Sequence, residues 1–351
     1  MSAELLADKL TILLTLKGRE EFTLRWLKYA QKTEIDCKII IADGGNNKKI
    51  KSQINEGLYG DLNIIYLEFP EDVSFQDYYL KIQKSLKLIN TPYYVMADND
   101  DFYSYDALIY AVKILENDNT CVAASGLAIS FKILDGKLYG KKIRFYTSKF
   151  FSFEEESSKE RLRGFFDGAP GNYYSVIKTE VGLSLWDEIC RLNFNDIRMP
   201  ELLIELGLLS SGKVVRFNLP FYYRQIGLDV GNEAGLSHDF FDEILTKSWS
   251  FEINSLCDFI VRLNNGRVSG DYLRNGIKAH IIPRVLNSIN FDQYLLNTYK
   301  IKKGVFSKSL QVNGWVNFIF KYILDKLYSN RSYLSKESMV VKRFLGRQSF
   351  E

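Results

Sequence analysis

The sequence predicts an α/β fold, a mostly parallel sheet flanked by helices and followed by a mainly helical carboxyl-terminal region. Three observations lead there. Continuous apolar runs of strand length alternate with helix-period segments across the first half, the pattern of strands buried on both faces. Each of the best-defined runs stops at a short polar turn. From about residue 236 the spacing becomes helical and amphipathic, which divides the chain into residues 8–235 and 236–351.

The elements follow in order. "LTILLTL" (10–16) stops at Lys17-Gly18-Arg19, and "EEFTLRWLKYAQK" after it has helical spacing. "CKIIIADGG" (37–45) is a second strand closed by Asp43-Gly44-Gly45, and "LNIIYLEFP" (62–70) is a third. "SFQDYYLKIQKSLKLIN" (74–90) reads as a helix and "TPYYVMAD" (91–98) as a fourth strand. A helix from Tyr105 to Glu116 precedes the strand "TCVAASGLAISFKIL" (120–134) and the hairpin arm "GKLYGKKIRFY" (136–146). "SFEEESSKERLRGFF" (152–166) has Ser152 and Glu155 at capping-box spacing, which predicts a helix opening there. "DGAPGNYYSVIKTEVG" (167–182) is a loop running into a short strand; residues 199–225 give a helix, a glycine break and a last strand.

Composition narrows the function. Of 351 residues, 46% are hydrophobic and 25% charged, as in a soluble globular protein. The net charge of +3 is too small to make nucleic acid the main partner. Cys37, Cys121, Cys190 and Cys257 are widely spaced and read as free thiols, and His238 and His280 are too few for a histidine-rich zinc site. No apolar run approaches the ~18 residues of a membrane span. The amino terminus carries acids before a short apolar run, unlike a signal peptide. A reducing, cytoplasmic location is the expectation.

The chemistry concentrates in "YYVMADNDDFYS" (93–104), where an apolar run ends in Asp98, Asn99, Asp100 and Asp101. On an extended strand end, carboxylates two residues apart project to one side. Magnesium or manganese takes one or two carboxylates and completes its shell with water and substrate phosphates. A polar turn with a helix cap is the alternative, but Ser104 already supplies the cap. In parallel sheets ligands bind beyond the carboxyl ends of the strands, where Lys17–Arg19, Asp43–Gly45 and Asp98–Asp101 all fall.

With "LTILLTLKGRE", "IIIADGG" and "NTPYYVMADNDDF" in this order, residues 9–225 resemble a glycosyltransferase of the GT-A (Rossmann-like) fold, similar to the family-2 nucleotide-sugar enzymes. The resemblance implies a nucleotide-sugar donor, a Mn2+ or Mg2+ ion, and a glycan, lipid-linked or protein acceptor, as in bacterial surface polysaccharide synthesis. It implies donor-binding roles for Thr15, Arg19, Asp43, Asp98 and Arg224, with Asp98 and Asp100 on the metal. An inverting transfer needs a carboxylate to deprotonate the acceptor. The family's Glu-Asp pair is absent; "NFNDIRMPELL" offers Asp196, the preferred base, and Glu201, which fits a first-turn helix acid. Asp167 is held in reserve. In "PFYYRQIG" Ile226 stands where the family often has histidine, and His238 is a substitute. Tyr173 and Tyr174 offer ring faces and hydroxyls to an acceptor sugar, and residues 229–237 read as a mobile loop able to close over substrate.

In the last third, Trp315, Phe318, Ile319, Tyr322, Ile323 and Leu327 share one face of a helix flanked by basic residues. Packing on its own domain or a second subunit, forming a homo-oligomer, is favoured over peripheral contact with the inner face of a membrane. Two alternatives to a transferase of sugars stand. A nucleotidyltransferase would want several glycines in its first loop, where "TLKGRE" has one; a non-catalytic binding or scaffold protein would keep the fold without the chemistry.

Overall fold

The computed structural model describes residues 6–45, 48–147, 150–169, 171–195, 198–228, 247–288 and 336–347. Its strands are β1 (Leu10–Leu16), β2 (Lys38–Asp43), β3 (Ile64–Glu68), β4 (Tyr93–Ala97), β5 (Phe102–Tyr103), β6 (Cys121–Ile133), β7 (Ile143–Thr147), β8 (Val176–Lys178) and β9 (Lys213–Gln225). They form one sheet in the order β3-β2-β1-β4-β8-β6-β9-β5, with β7 paired to β6. β1, β2, β3 and β4 are mutually parallel, and the long strands β6 and β9 run parallel to each other. The three-residue β8 joins these two blocks, antiparallel to β4 and β6.

Strand order explains where a ligand can sit. The chain adds β2 and β3 on one side of β1, then returns to place β4 on the other side. The turns after β1 and β4 therefore leave in opposite directions and open a crevice between the two strand ends. That crevice lies between Lys17–Arg19 and Asp98–Asp101, two of the polar turns that close the apolar runs.

The sheet separates two apolar cores. Every residue of β1 is buried. Leu10, Ile12, Leu14 and Leu16 enter one core with Trp26 and Tyr29, while Leu13 enters the other with Ile40, Tyr79 and Trp186, as the two-residue strand period requires. The first core takes α1 (Glu20–Lys32) and α4 (Tyr105–Asn117), with α2 (Lys48–Asn55) at its margin. The second takes α3 (Phe75–Leu86), α5 (Ser158–Phe166), α6 (Thr179–Leu192) and α7 (Arg198–Ser211). α3 begins with a capping box between Ser74 and Asp77, and Ser104 caps α4 by accepting from Ala107 N at 3.4 Å.

Two expectations need correction. The helix expected from Ser152 starts at Ser158, because Phe153 pairs with Val214 and keeps 151–153 extended. Ser152 does not cap it: its hydroxyl donates to Glu154 at 2.6 Å and accepts from Arg216 N at 3.0 Å. The short strand expected to carry on through Gly182 stops at Lys178, and α6 begins at Thr179. Gly182 is needed there, since a Cβ would fall 2.2 Å from the Tyr94 ring.

The carboxyl-terminal helices return to these cores. α8 (Lys247–Leu263) and α9 (Gly270–Ser288) place Leu256, Ile260, Leu273 and Ile277 in the second core. α10 (Lys336–Arg347) places Phe344 edge-on to Tyr29 and Phe102 in the first. Burying such a side chain stabilises by about 1.5–3 kcal/mol, so α10 is fastened to the first core. The boundary near residue 236, the 229–237 loop, His238 and the aromatic stripe from Trp315 to Leu327 lie outside the described residues. All four cysteines are free; three are buried and Cys190 is half-buried. Among the described residues, no helix is long and apolar enough to cross a membrane.

Candidate active site

The D-N-D-D segment sorts its residues by side. Asn99 and Asp101 are 6% and 4% exposed, whereas Asp98 and Asp100 are half-buried and face the crevice. The carboxylates of Asp98, Asp100 and Asp101 each place one oxygen within 4.8 Å of the others. Asn99 fastens the segment to the start of α1: its Nδ2 donates to Thr23 Oγ1 at 3.0 Å and to the Arg19 carbonyl at 3.3 Å. Asp101 fastens it to β9, accepting from the Gln225 amide at 2.8 Å and from the Tyr222 hydroxyl. Burial and then the neighbouring Asp100 and Asp98 charges push the Asp101 carboxyl well above the usual range.

Asp98 and Asp100 keep an oxygen to spare. Asp98 Oδ2 accepts from the Tyr174 hydroxyl and Asp100 Oδ2 pairs with Arg19 Nη1 at 2.8 Å. Neither Oδ1 takes a hydrogen bond among the described residues. Burial is the main cause of the upward shift of the Asp98 carboxyl, opposed by the Tyr174 bond. Two half-buried carboxylates with open oxygens fit a hard divalent cation. Asp101, to which the sequence assigns no role, completes the cluster, but both its oxygens are spent on the protein.

Arg19 reaches Asp100 from an unusual backbone. Gly18 and Arg19 both adopt the left-handed region, with φ of 67° and 54°. For a non-glycine residue this costs on the order of 1 kcal/mol, and such conformations cluster at functional sites. Arg25, which carries no signal in the sequence, is almost wholly buried. Its guanidinium donates to the Asp100 carbonyl at 2.9 Å and the Leu138 carbonyl at 2.8 Å, between the Phe22 and Phe102 rings. Burial pulls it down to about 10, still a cation at neutral pH.

Behind β1 and β2 the wall is rigid. Asp43 Oδ1 accepts from Gly45 N at 2.7 Å, the turn that D-G-G predicts, and Oδ2 accepts from the Tyr66 hydroxyl. Asp72 and Lys81 form a buried ion pair, and Lys81 also donates to the Leu16 carbonyl at 2.8 Å. A Cβ on Gly44 would meet Asp72 Oδ1 at 2.3 Å, so glycine is required where the two loops touch. Thr15 is buried against the Tyr78 hydroxyl, which also faces Tyr173.

The opposite wall is the 171–175 loop. Tyr174 stacks on Tyr222 with ring centroids 4.6 Å apart, and through its hydroxyl it holds Asp98. Its hydroxyl is thus occupied by an acid expected to bind metal, while Tyr173 stands edge-on beside it. Glu205, a second residue without a sequence signal, accepts from Asn172 N, from Asn172 Nδ2 at 3.1 Å and from Tyr173 N at 2.9 Å. Arg216 donates to the Gly171 carbonyl at 2.7 Å and Asn172 Oδ1 at 2.9 Å. Burial pushes the Glu205 carboxyl up to about 7 against these donors.

The remaining candidates are distributed unevenly. Glu201, exposed in the first turn of α7, contributes to the raised values of Tyr78, Tyr173 and Tyr174, so its charge faces the tyrosine wall. Asp196 lies outside the described residues. Asp167 is exposed at the carboxyl end of α5, and its charge acts on Tyr272 of α9. Arg224, exposed on β9, feels the charges of Asp98 and Asp101. A cavity of about 290 Å³ adjoins the site, lined by Arg19, Phe22, Lys137, Gln225, Ile226 and Leu228 among others.

No protein-family model matches the chain, and no curated protein sequence does. Among solved structures it is similar to S. aureus TarS, at 10% identity and a TM-score of 0.51, over 85% of this chain and 46% of that one. It therefore spans less than half the length of that protein. It is also similar to S. aureus TarS 1–349 in complex with UDP-GlcNAc (11% identity, TM-score 0.49, 89% and 80% covered). A third similar structure is mannosyltransferase PcManGT from Pyrobaculum calidifontis in complex with GDP-Man and Mn2+ (12% identity, TM-score 0.49, 96% and 86% covered). At such identity the likeness is one of backbone path, and that path is the GT-A-like fold of glycosyltransferases.

Proposed function

We propose that the protein is a metal-dependent glycosyltransferase that moves a sugar from a nucleotide-diphosphate donor to a saccharide, lipid-linked or protein acceptor. The observation that carries this reading is the pair of open Oδ1 atoms on Asp98 and Asp100, set at the sheet's switch point beside Arg19 and Arg224. A Mn2+ or Mg2+ ion held there supplies charge neutralisation for the leaving diphosphate.

The chain's own residues do the rest. Thr15 and Asp43 border the nucleoside end of the crevice, with Asp43 braced by Gly45 and Tyr66. Arg224 offers a fork of donors to the diphosphate. Asn99, Asp101 and Arg25 keep the acids from shifting, which matters because positioning errors of about 1 Å cost on the order of 100-fold. Tyr174 holds Asp98, and Tyr173 presents its ring to the acceptor side. The acceptor hydroxyl loses its proton to a carboxylate, either Glu201 at the start of α7 or Asp196, five residues before it in the sequence. With a carboxylate acting as base, the acceptor oxygen displaces the diphosphate directly, with inversion.

Calorimetric titration with uridine and guanosine diphosphate tests the reading. One of them is expected to bind at least about tenfold tighter with Mn2+ than without. Binding that ignores the metal, or none at all, would favour a scaffold on this fold.

A further inference from the structure

The geometry points to Arg19 as an internal cation whose charge on Asp100 opposes the divalent ion until a diphosphate draws it away, so that metal and nucleoside diphosphate bind cooperatively. The inference rests on the function proposed above and concerns the order imposed on its ligands.

Three observations carry it. Arg19 Nη1 lies 2.8 Å from Asp100 Oδ2, on one of the two carboxylates proposed to hold the metal. A guanidinium and a divalent ion on one carboxylate repel each other, so this pair opposes a metal arriving alone. The second observation is the backbone. Arg19 is held left-handed, with φ 54° and ψ 46°, and Asn99 binds its carbonyl at 3.3 Å. The turn that aims Arg19 at Asp100 is thus fixed by the acidic segment itself. The third is room. Arg19 also borders the 290 Å³ cavity, and its side chain is 27% exposed, so the guanidinium is free to leave the carboxylate without moving the turn.

A nucleoside diphosphate supplies what both cations need. Its oxygens accept the Arg19 fork, which removes the opposing charge from Asp100, and the open carboxylate oxygens then hold the metal more tightly. Because binding free energies are linked, each ligand then strengthens the other by the same factor. Without the diphosphate, Arg19 keeps Asp100 neutralised and the site discriminates against metal alone.

Manganese binding to the full-length protein tests this, read from the loss of the free Mn2+ electron paramagnetic resonance signal. Wild type, Arg19→Gln and Asp100→Asn are titrated with and without uridine or guanosine diphosphate. Arg19→Gln is expected to bind Mn2+ alone about tenfold tighter than wild type, and the enhancement by diphosphate is expected to shrink by about the same factor. Equal or weaker Mn2+ binding by Arg19→Gln, with the enhancement unchanged, overturns the inference. In that case loss of Mn2+ binding in Asp100→Asn leaves the proposed function standing. Absence of Mn2+ binding in wild type and Arg19→Gln under every condition overturns both.

Discussion

Asp100→Ala is expected to reduce sugar transfer by about 1,000-fold or more while leaving the protein folded. The size follows from the charge at stake: metal stabilisation of a leaving diphosphate amounts to several kcal/mol, and each 1.36 kcal/mol is a factor of about ten in rate. The fold should survive because the Asp100 side chain makes one partly exposed ion pair, of the kind worth at most about 1 kcal/mol. The contact that matters for folding, from Arg25 to the Asp100 carbonyl, uses the backbone and persists in alanine. Turnover assays on a variant whose thermal unfolding matches wild type provide the check. Transfer within tenfold of wild type would remove Asp100 from the metal.

The neighbouring substitution should behave in the opposite way. Asp101→Ala is expected to destabilise the protein by about 4 kcal/mol, because it strips the Tyr222 hydroxyl and the Gln225 amide of their acceptor inside the protein. These bonds join the acidic segment to β9 across more than 120 residues of chain, and the segment loses its anchor with them. Burial and then the Asp100 and Asp98 charges hold the Asp101 carboxyl well above its usual range, and relief of that burial cost in alanine offsets part of the loss. Urea unfolding measures the difference. A change below about 1 kcal/mol would mean that these contacts do not organise the site. Two adjacent acids, one lost to chemistry and one to stability, would separate the ligand from its support.

Much of this architecture is legible in the amino-acid sequence. β1, β2 and β4 are continuous apolar runs ended by polar turns, and that pattern alone places Lys17–Arg19, Asp43–Gly45 and Asp98–Asp101 at strand ends. Local chemistry carries the D-G-G turn and the Ser104 cap. What the sequence does not display are partnerships between distant residues: Asn99 with Thr23, Asp101 with Tyr222, Glu205 with Asn172. A buried Glu205 within "LLIELGLL" carries the same letters as a solvent-facing glutamate on an amphipathic helix. Ser152 misleads because capping-box spacing is a local signal, and pairing of Phe153 with Val214, about 60 residues away, overrides it. The sequence offers the Tyr174 ring and hydroxyl to an acceptor sugar but does not display the bond from that hydroxyl to Asp98.

The central claim is that a divalent ion sits on Asp98 and Asp100 and ties a nucleotide's diphosphate to the end of the sheet. Anomalous diffraction at the manganese edge, from a crystal grown with nucleoside diphosphate and Mn2+, tests it most directly. The expected result is one strong peak in coordinating contact with an oxygen of each aspartate, bridged to the diphosphate, with Arg19 turned away from Asp100. A diphosphate bound with no peak at these residues, or a peak elsewhere with the Arg19–Asp100 pair intact, would contradict it.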